Sequence, residues 1–300
     1  MPPPLTITIQ AFSDTFCPWC YIGKKDLDRA MELYAGQHPN VQFEVIWNPF
    51  YLEPRAKVSA YEKKDYFLAK LGPAAAPAFF ARIEDEATAH GLTVNWEGRC
   101  GNTRDSHILL LLASRQQQQQ RQRGPPQSPS PPPPPPRTSL QGLLADALFR
   151  GALEQGRDIS DRSFLVETAV RVGLAVDEGG EAGAGEGSLG KSKKKDDDEE
   201  EDEEDEEDEG DEEGDGEGEG EEEERKDALL GWLDSGAARA EADALDAYAK
   251  REVGITAVPS YVVQGRYRVG GKQGPDVFLR LFERVRLARQ DGGGGGGGGG

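Results

Sequence analysis

Residues 5–20 read LTITIQAFSDTFCPWC, a short stretch with a strand pattern that is followed closely by a pair of cysteines. β-Branched and polar residues alternate over residues 5–12, a pattern that predicts a half-buried β-strand. Pro18 suits the first position of a helix, where its missing N–H costs nothing and its φ angle is already helical. The segment therefore predicts a strand, a turn, and a helix whose first turn carries Cys17 and Cys20.

The flanking residues predict two halves of an α/β fold. Helical spacing with an apolar stripe runs over residues 18–35, and a second strand is predicted at 41–47, which completes a β-α-β unit. Near the other end, Ser260–Val263 and Tyr267–Gly270 predict a hairpin, followed by a helix at about 275–289. The sequence between the two halves is helical in pattern, so we predict one fold split by an insertion.

Low-complexity segments interrupt the predicted insertion. A Gln- and Pro-rich segment at 115–139 and a Gly- and Glu-rich segment at 177–226 cannot bury a core, so both are predicted to be disordered. Such additions in helix–helix loops cost little closure entropy. The predicted organisation is an N-terminal half at 1–55, an all-helical insertion domain at 56–253, a C-terminal half at 254–290 and a glycine tail at 291–300.

The negative charge of the chain is concentrated in one tract. The formal net charge is -20, from 55 acidic and 35 basic residues, and 24 of the acidic residues lie within 196–224. The rest of the chain has no concentrated basic stripe, which argues against a nucleic-acid-binding surface. We interpret the tract as a solvated spacer, with recruitment of basic partner proteins or divalent cations as the alternative.

The sequence also predicts a cytoplasmic protein. Its longest apolar run, 108–113, is far shorter than the roughly 20 residues of a membrane span, so we expect no membrane partner. The N-terminus, MPPPLTITIQ, lacks the charged region and apolar core of a secretory signal. In a reducing compartment, a close cysteine pair is more often catalytic or metal-binding than a structural disulfide.

The cysteine pair favours redox chemistry over zinc binding. Cys17 is predicted at the cap position, where its sulfur can accept hydrogen bonds from the first turn and faces the positive end of the helix dipole; both effects favour the thiolate. Cys20 is predicted one turn later on the same face, at a separation that a disulfide tolerates. In this arrangement Cys17 attacks and Cys20 resolves the mixed disulfide. A zinc site would need further ligands at ligand spacing, which the three His residues and Cys100 do not offer.

Five segments carry the most distinctive patterns of the predicted folded part: CPWCYIGKKDLDRA, WNPFYLEP, GNTRDSHILLLLA, ALFRGALEQGRDISDRSFLVETAVRVGL and AKREVGITAVPSYVVQGRYRVGGKQGPDVFLRLF. In this order they resemble the DsbA-like family, which includes FrnE-type proteins and 2-hydroxychromene-2-carboxylate isomerases. The resemblance implies a thioredoxin-like fold with an inserted helical domain, and a cis-proline at Pro259 that faces Cys17. Similar proteins that act on glutathione conjugates typically carry Ser at the nucleophile position and lack the second Cys. The presence of both Cys17 and Cys20 therefore favours thiol–disulfide exchange.

Further residues are candidates for shaping the site. Trp19 either presents an aromatic face to an unfolded peptide or covers the site, and Asp14 either caps the turn or assists proton transfer from Cys20. The resemblance implies that Asn48 approaches the site at the end of the second strand, whereas Trp47 beside it is more typical of a core residue.

The later segments supply the remaining candidates. The resemblance implies that Pro259 orients the substrate backbone, with Val258 as a residue that pairs with it. We interpret Asn102 as a helix cap and His107 as a partly buried side chain, with a substrate or glutathione contact as the alternative. Cys100 has no partner in the sequence and is predicted to be a free thiol.

These observations together predict an enzyme, a DsbA-like thiol–disulfide oxidoreductase that cycles its CPWC dithiol and disulfide on protein or small-molecule substrates. It needs no metal or organic cofactor, and glutathione can serve as a co-substrate. A reducing cytosol keeps the pair mostly as the dithiol, which favours reductase or isomerase action. The alternatives are a glutathione-dependent isomerase or transferase of the kappa or 2-hydroxychromene-2-carboxylate isomerase type, and a non-catalytic acidic binding protein.

Overall fold

The computed structural model describes residues 4–57, 61–122, 139–176 and 216–293. Within these ranges the elements follow in the order β1 Leu5–Ser13, α1 Pro18–Gln37, β2 Val41–Pro49, β3 Tyr61–Glu62, α2 Lys63–Leu71, α3 Ala76–Thr88, β4 Arg99–Cys100, α4 Arg104–Gln122, α5 Leu140–Leu153, α6 Arg162–Arg171, α7 Gly216–Asp234, α8 Gly236–Arg251, β5 Ser260–Val263, β6 Tyr267–Gly270 and α9 Pro275–Gly293. No helix in the described ranges combines the length and the apolar character needed to cross a membrane.

A mixed four-stranded sheet, ordered β2-β1-β5-β6, organises the molecule. β1 pairs in parallel with β2, from Leu5 opposite Val41 to Ser13 opposite Pro49, as expected when a helix connects the two strands. β1 also pairs antiparallel with β5, which forms the predicted hairpin with β6. The predicted α/β fold class is confirmed, because the β-α-β and β-β-α halves share one sheet and meet at β1.

The main core lies on the sheet face that α1 and α9 cover. The rings of Phe43 in β2 and Phe282 in α9 are 4.7 Å apart, and Tyr34 of α1 lies against both. The opposite face carries a smaller cluster in which Phe12 and Val262 pack near the end of α8. The predicted apolar stripe of α1 is buried in the main core: Leu27, Ala30, Met31 and Tyr34.

Gln141 at the start of α5 joins the insertion to the sheet. Its buried amide accepts a hydrogen bond from the Trp47 N–H at 3.0 Å and donates to the Trp47 carbonyl at 3.0 Å and the Leu110 carbonyl at 3.1 Å. Because β2 is an edge strand, the outward backbone groups of Trp47 have no neighbouring strand, and Gln141 satisfies them instead. One side chain therefore fixes α5 against both β2 and α4.

The prediction that the insertion is all-helical is wrong at one place. Tyr61–Glu62 and Arg99–Cys100 form a short antiparallel ladder with Tyr61 opposite Cys100. The first helix of the insertion therefore begins after this ladder, at Lys63, whose N–H donates to the Gly98 carbonyl at 2.9 Å. This pairing joins segments that are distant in sequence, and a local pattern cannot indicate such a contact.

The predicted disorder of residues 115–139 is wrong for 115–122, which continue α4 as a regular helix. Gln and Arg are good helix formers, and tertiary contacts hold this end of the helix. The Gln116 side chain accepts a hydrogen bond from the Ala175 N–H at 3.1 Å, and Arg121 pairs with Glu44 of β2. The prediction from polar composition alone therefore ended α4 too early.

The predicted disorder of residues 177–226 is likewise wrong for 216–226, which form the first part of α7. Helix formation is cooperative, so a helix anchored at one end extends into adjacent Glu-rich sequence. The anchors are two fully buried side chains, Leu229 and Leu233.

The predicted glycine tail begins later than expected, because α9 runs to Gly293. The other predicted low-complexity residues lie outside the described ranges: 123–138, 177–215 and 294–300.

Replacing Gln141 with alanine should lower the free energy of unfolding by roughly 2–4 kcal/mol, because it leaves buried backbone groups without partners. Urea denaturation followed by circular dichroism measures this loss. The matched control is Gln155→Ala, an exposed position just after α5, which should change stability by less than about 0.5 kcal/mol. Equal effects at the two positions would contradict the role assigned to Gln141.

Candidate active site

The CPWC motif forms the first turn of α1, directly after the loop that leaves β1. Cys17 is the N-cap residue with extended backbone angles, and Pro18 occupies the first helical position. The Cys17 N–H donates to the Asp14 carbonyl at 3.0 Å, and the Cys17 carbonyl accepts from the Cys20 N–H at 3.0 Å. Backbone hydrogen bonds on both sides of Cys17 therefore fix its position.

The two thiols form a close but unbonded pair. Cys17 and Cys20 are 3.3 Å apart, and both are free cysteines. Cys17 is 6% exposed, whereas Cys20 is completely buried. An incoming molecule can therefore reach Cys17 first, with Cys20 placed directly behind it.

The hydrogen bonds predicted from the first helical turn to the Cys17 sulfur are not formed. Pro18 has no N–H to offer, and the Cys20 N–H donates to the Cys17 carbonyl oxygen rather than to its sulfur. The Cys17 side chain thus occupies the cap position without the capping contact that the sequence suggests.

Burial raises the pKa of the Cys20 thiol well above its ordinary value, and the neighbouring Cys17 sulfur raises it further. The Asp14 N–H and the Ser13 hydroxyl act in the opposite direction, with smaller effects on the Cys20 pKa. Cys20 therefore holds its proton in the resting dithiol and can donate it toward Cys17.

The chain before β5 packs against the same helix. The Val258–Pro259 peptide bond is cis, as the resemblance implies, and Pro259 is buried. A Cβ atom built on Gly23 would lie 3.0 Å from Pro259 Cγ and 2.8 Å from the Tyr261 hydroxyl. Since Gly23 follows Cys20 by one helical turn, this close approach brings Pro259 to the helix that carries both cysteines.

Asp14 fixes the loop between β1 and α1. Its buried carboxylate accepts hydrogen bonds from the Phe16 N–H at 3.3 Å and the Leu52 N–H at 2.7 Å, so the turn-capping contact is present. His107 Nε2 lies 3.8 Å from Asp14 Oδ1, and the His107 ring is almost fully buried. This side chain is therefore more deeply enclosed than the partly buried histidine that we predicted.

Trp19 and Asn48 occupy different surroundings. Trp19 is half-buried, and the Arg82 guanidinium of α3 covers one face of its ring at 4.9 Å. Asn48 donates to the Ile46 carbonyl of its own strand at 3.1 Å and pairs in register with Phe12. The described contacts place Trp19 on the CPWC turn, whereas the Asn48 amide is engaged within β2.

The remaining candidates have structural partners. Trp47 is a buried core residue, as predicted, and Asn102 caps the start of α4 by accepting from the Arg104 N–H at 2.8 Å. Cys100 is a free thiol, as predicted, and burial raises its pKa to about 12. Cys100 therefore remains protonated at neutral pH.

Three features of the site were missed in the sequence: Gly23, Tyr261 and an open hollow beside Phe16. The hollow opens to solvent, and Phe16 also stacks on Phe67 with ring centroids 5.4 Å apart. Gly23 gave a usable signal, since a glycine inside a helical pattern often marks a close approach. Tyr261 gave none, because it resembles any other core residue of a strand. The hollow is lined in part by Asp14, Phe16, Leu52, Tyr61, Tyr66 and Cys100.

Comparisons with known proteins agree with this architecture. The family model described as DSBA-like thioredoxin domain matches residues 8–124, so the resemblance to the DsbA-like family is confirmed. Residues 8–124 therefore carry a DSBA-like thioredoxin domain. No curated protein matches the chain.

Solved structures support the thioredoxin-like DsbA fold. A probable DsbA oxidoreductase from Streptomyces coelicolor is similar at 23% identity and a TM-score of 0.62, over 93% of this chain and 89% of that one. A 2-hydroxychromene-2-carboxylate isomerase aligns at 13% identity and a TM-score of 0.49, over 95% and 98% of the two chains. The cytosolic disulfide reductase DsbM from Pseudomonas aeruginosa, in a structure with GSH, aligns at 16% identity and a TM-score of 0.46, over 94% and 99%. The fold assignment depends on the first of these.

The Gly23→Ala variant should unfold more easily, with a loss of roughly 1–3 kcal/mol, because the new methyl group has no room beside Tyr261 and Pro259. Adding Tyr261→Phe should recover part of this loss, since the hydroxyl is the nearer of the two contacts. Gly36→Ala in the same helix meets no atom within 4 Å and should instead raise stability by about 0.5–1 kcal/mol. Guanidinium denaturation of the dithiol form measures all three values, and a stable Gly23→Ala variant would rule out the tight packing.

Proposed function

We propose that this protein is a thiol–disulfide oxidoreductase that cycles Cys17 and Cys20 between the dithiol and the disulfide. The observation that carries the proposal is the unequal burial of two adjacent thiols, since Cys17 reaches the surface and Cys20 does not. A nucleophile must be reachable, and a resolving thiol must be close but shielded. The sulfur pair itself supplies the redox chemistry, so the proposal includes no metal or organic cofactor.

The proposed reduction of a substrate proceeds in two displacements. The Cys17 thiolate attacks one sulfur of the substrate disulfide, so a mixed disulfide forms and the first substrate thiolate leaves. The first substrate thiolate takes up the Cys20 proton, and the Cys20 sulfur attacks the Cys17 sulfur, which forms the Cys17–Cys20 disulfide and releases the second substrate thiolate. Two electrons pass from the pair to the substrate, and the same steps in reverse oxidise a dithiol.

The raised pKa of Cys20 supports this order of events. A buried thiol that keeps its proton does not compete with Cys17 for the first substrate disulfide. Once the mixed disulfide forms, Cys20 is already in contact with the sulfur that it must attack. The high local concentration of Cys20 compensates for its low thiolate fraction.

We assign substrate alignment to the segment before β5. Pro259 packs against α1 at Gly23, and its carbonyl oxygen is engaged because it accepts a hydrogen bond from the Gly271 N–H at 2.8 Å. The neighbouring residue, Val258, is therefore the one to which we assign backbone pairing with the substrate. Asp14 holds the approach loop, Trp19 flanks the motif, and Asn48 remains a predicted contributor.

The proposed substrates are disulfide-containing proteins or small disulfides, with glutathione as a co-substrate. The hollow beside Phe16 has aromatic walls and suits an apolar side chain next to the substrate disulfide. For a cytosolic location, the reducing environment favours reductase or isomerase action over net oxidation. Recruitment of basic partners by the acidic tract stays a prediction, since residues 196–215 lie outside the described ranges.

Cys17→Ser should reduce the turnover of insulin disulfides or of glutathione disulfide to the uncatalysed rate, because a hydroxyl cannot replace the attacking thiolate. The matched control is Cys100→Ser, a buried thiol outside the pair, which should retain activity if the variant folds. Turnover is followed as thiol-dependent reduction at equal concentrations of folded protein. Activity that survived in Cys17→Ser would refute the assigned nucleophile.

Cys20→Ala should accumulate a mixed disulfide between Cys17 and the substrate, because the second displacement has lost its nucleophile. Intact-mass measurement after acid quenching detects this adduct, which a reductant should remove. A glutathione-dependent isomerase or transferase would instead remain active without Cys20. Full turnover in Cys20→Ala without a trapped adduct would therefore favour that alternative.

A further inference from the structure

Tyr261 is a completely enclosed side chain that the two displacements do not yet use. It is 1% exposed, and its hydroxyl has no hydrogen-bond partner among the described residues. Buried hydroxyls almost always have a partner, so an exception requires an explanation. The Tyr261 and Phe278 rings pack in a T-shaped arrangement with centroids 5.1 Å apart.

The fold places this hydroxyl beside the cysteine pair. Tyr261 lies opposite Ala11 in the β1–β5 ladder, on the sheet face that α1 covers. Its oxygen would be 2.8 Å from a Cβ on Gly23, which lies one helical turn after Cys20 on the same side of α1. The hydroxyl is therefore confined to the interior side of the first two turns of α1, behind Cys20.

Four groups that can carry negative charge lie near the Tyr261 hydroxyl, and they are the candidates for its hydrogen-bond acceptor. Apart from burial, the Cys20 sulfur has the largest effect in raising the Tyr261 pKa, followed by Asp28, Asp26 and Cys17. Both carboxylates already have cations, since Lys24 lies 2.7 Å from Asp28 and Lys272 lies 3.5 Å from Asp26. The Cys20 sulfur, one helical turn before Gly23, is therefore the group to which we assign the hydroxyl when that sulfur is ionised.

We infer that the Tyr261 hydroxyl donates a hydrogen bond to the Cys20 sulfur whenever that sulfur carries the negative charge of the exchange reaction. This inference rests on the proposed function. When an incoming thiolate attacks Cys17 of the disulfide, a new sulfur–sulfur bond forms at Cys17 and Cys20 leaves with the electron pair. In the opposite direction, ionised Cys20 attacks the mixed disulfide. Both steps pass through charge on Cys20, and a donor held on the same side of α1 stabilises that charge when it forms.

The raised pKa of Tyr261 is consistent with this role, because the phenol keeps its proton and remains a donor. A protonated phenol at this position does not ionise Cys20 in the resting dithiol. It lowers the barrier only when charge develops on the buried sulfur, so the effect is confined to the step that involves Cys20.

The test separates the two displacements with a symmetrical aryl disulfide that releases a coloured thiolate. The first release reports attack by Cys17 and depends on reagent concentration, whereas the second reports attack by Cys20 and does not. Cys20→Ala, which should give one release, verifies the assignment, and peptide mass locates the first adduct on Cys17. The reaction is followed by stopped-flow absorbance across a pH series.

Tyr261→Phe should slow the second release by about tenfold or more and leave the first release unchanged, as expected for loss of a hydrogen bond to a charged group. The slowing should persist at every pH at which Cys20 is mostly protonated. Tyr34→Phe is the matched control, since its ring is also buried in the main core but its hydroxyl donates to Glu283 at 2.8 Å. Both releases should be unchanged in that variant.

Each other outcome overturns the inference in a distinguishable way. A wild-type chain that gives only one release refutes the proposed function and this inference with it. Two wild-type releases with an unchanged second release in Tyr261→Phe refute the inference alone, and equal slowing of both releases indicates a displaced helix. If Tyr261→Phe does not fold, Tyr261→Met, which also lacks the hydroxyl, replaces it in the same measurement. The same results are expected, and the same results would overturn the inference.

Discussion

The close contact between Gly23 of α1 and the segment Pro259–Tyr261 is the constraint on which the rest of the structure depends. The two segments lie at opposite ends of the sequence, and the pairing of β5 with β1 brings them together. Only a residue without a side chain allows this approach, because a methyl group on Gly23 would overlap the Tyr261 hydroxyl. Through that contact, the cis-proline and a buried hydroxyl pack against the helix that carries the cysteine turn.

The insertion supports the site without forming its chemistry. Lys24 is fully buried in α1 and pairs with Asp28 at 2.7 Å and with Asp146 of α5 at 3.1 Å, so an ionic network ties the helix that carries the cysteines to the insertion. Buried ion pairs contribute little net stability but disfavour other arrangements of the same elements. Together with Gln141, these contacts hold the helix that carries the cysteines at a fixed height above the sheet.

In the proposed function, unequal burial gives the two cysteines different tasks. They are chemically identical and separated by two residues, yet Cys17 has access to solvent and Cys20 has none. Desolvation acts mainly on Cys20 and raises its pKa, so the proton stays on the inner sulfur until the outer sulfur has reacted. In this view, the helix start positions the nucleophile, and the core controls when the second sulfur becomes reactive.

The sequence by itself determined the local elements: the alternating strand before Cys17, the helix that Pro18 starts, and the last hairpin, whose bounds match the prediction. These follow from periodicity and from the backbone restrictions of proline, which act over a few residues. Only the tertiary structure decided that α4 and α7 extend into polar sequence, that β3 pairs with β4, and that the Cys17 sulfur lacks its predicted caps. It alone also placed Tyr261 behind Cys20. Burial and contacts between distant segments decide such features. A local sequence pattern does not specify which distant residue packs against it.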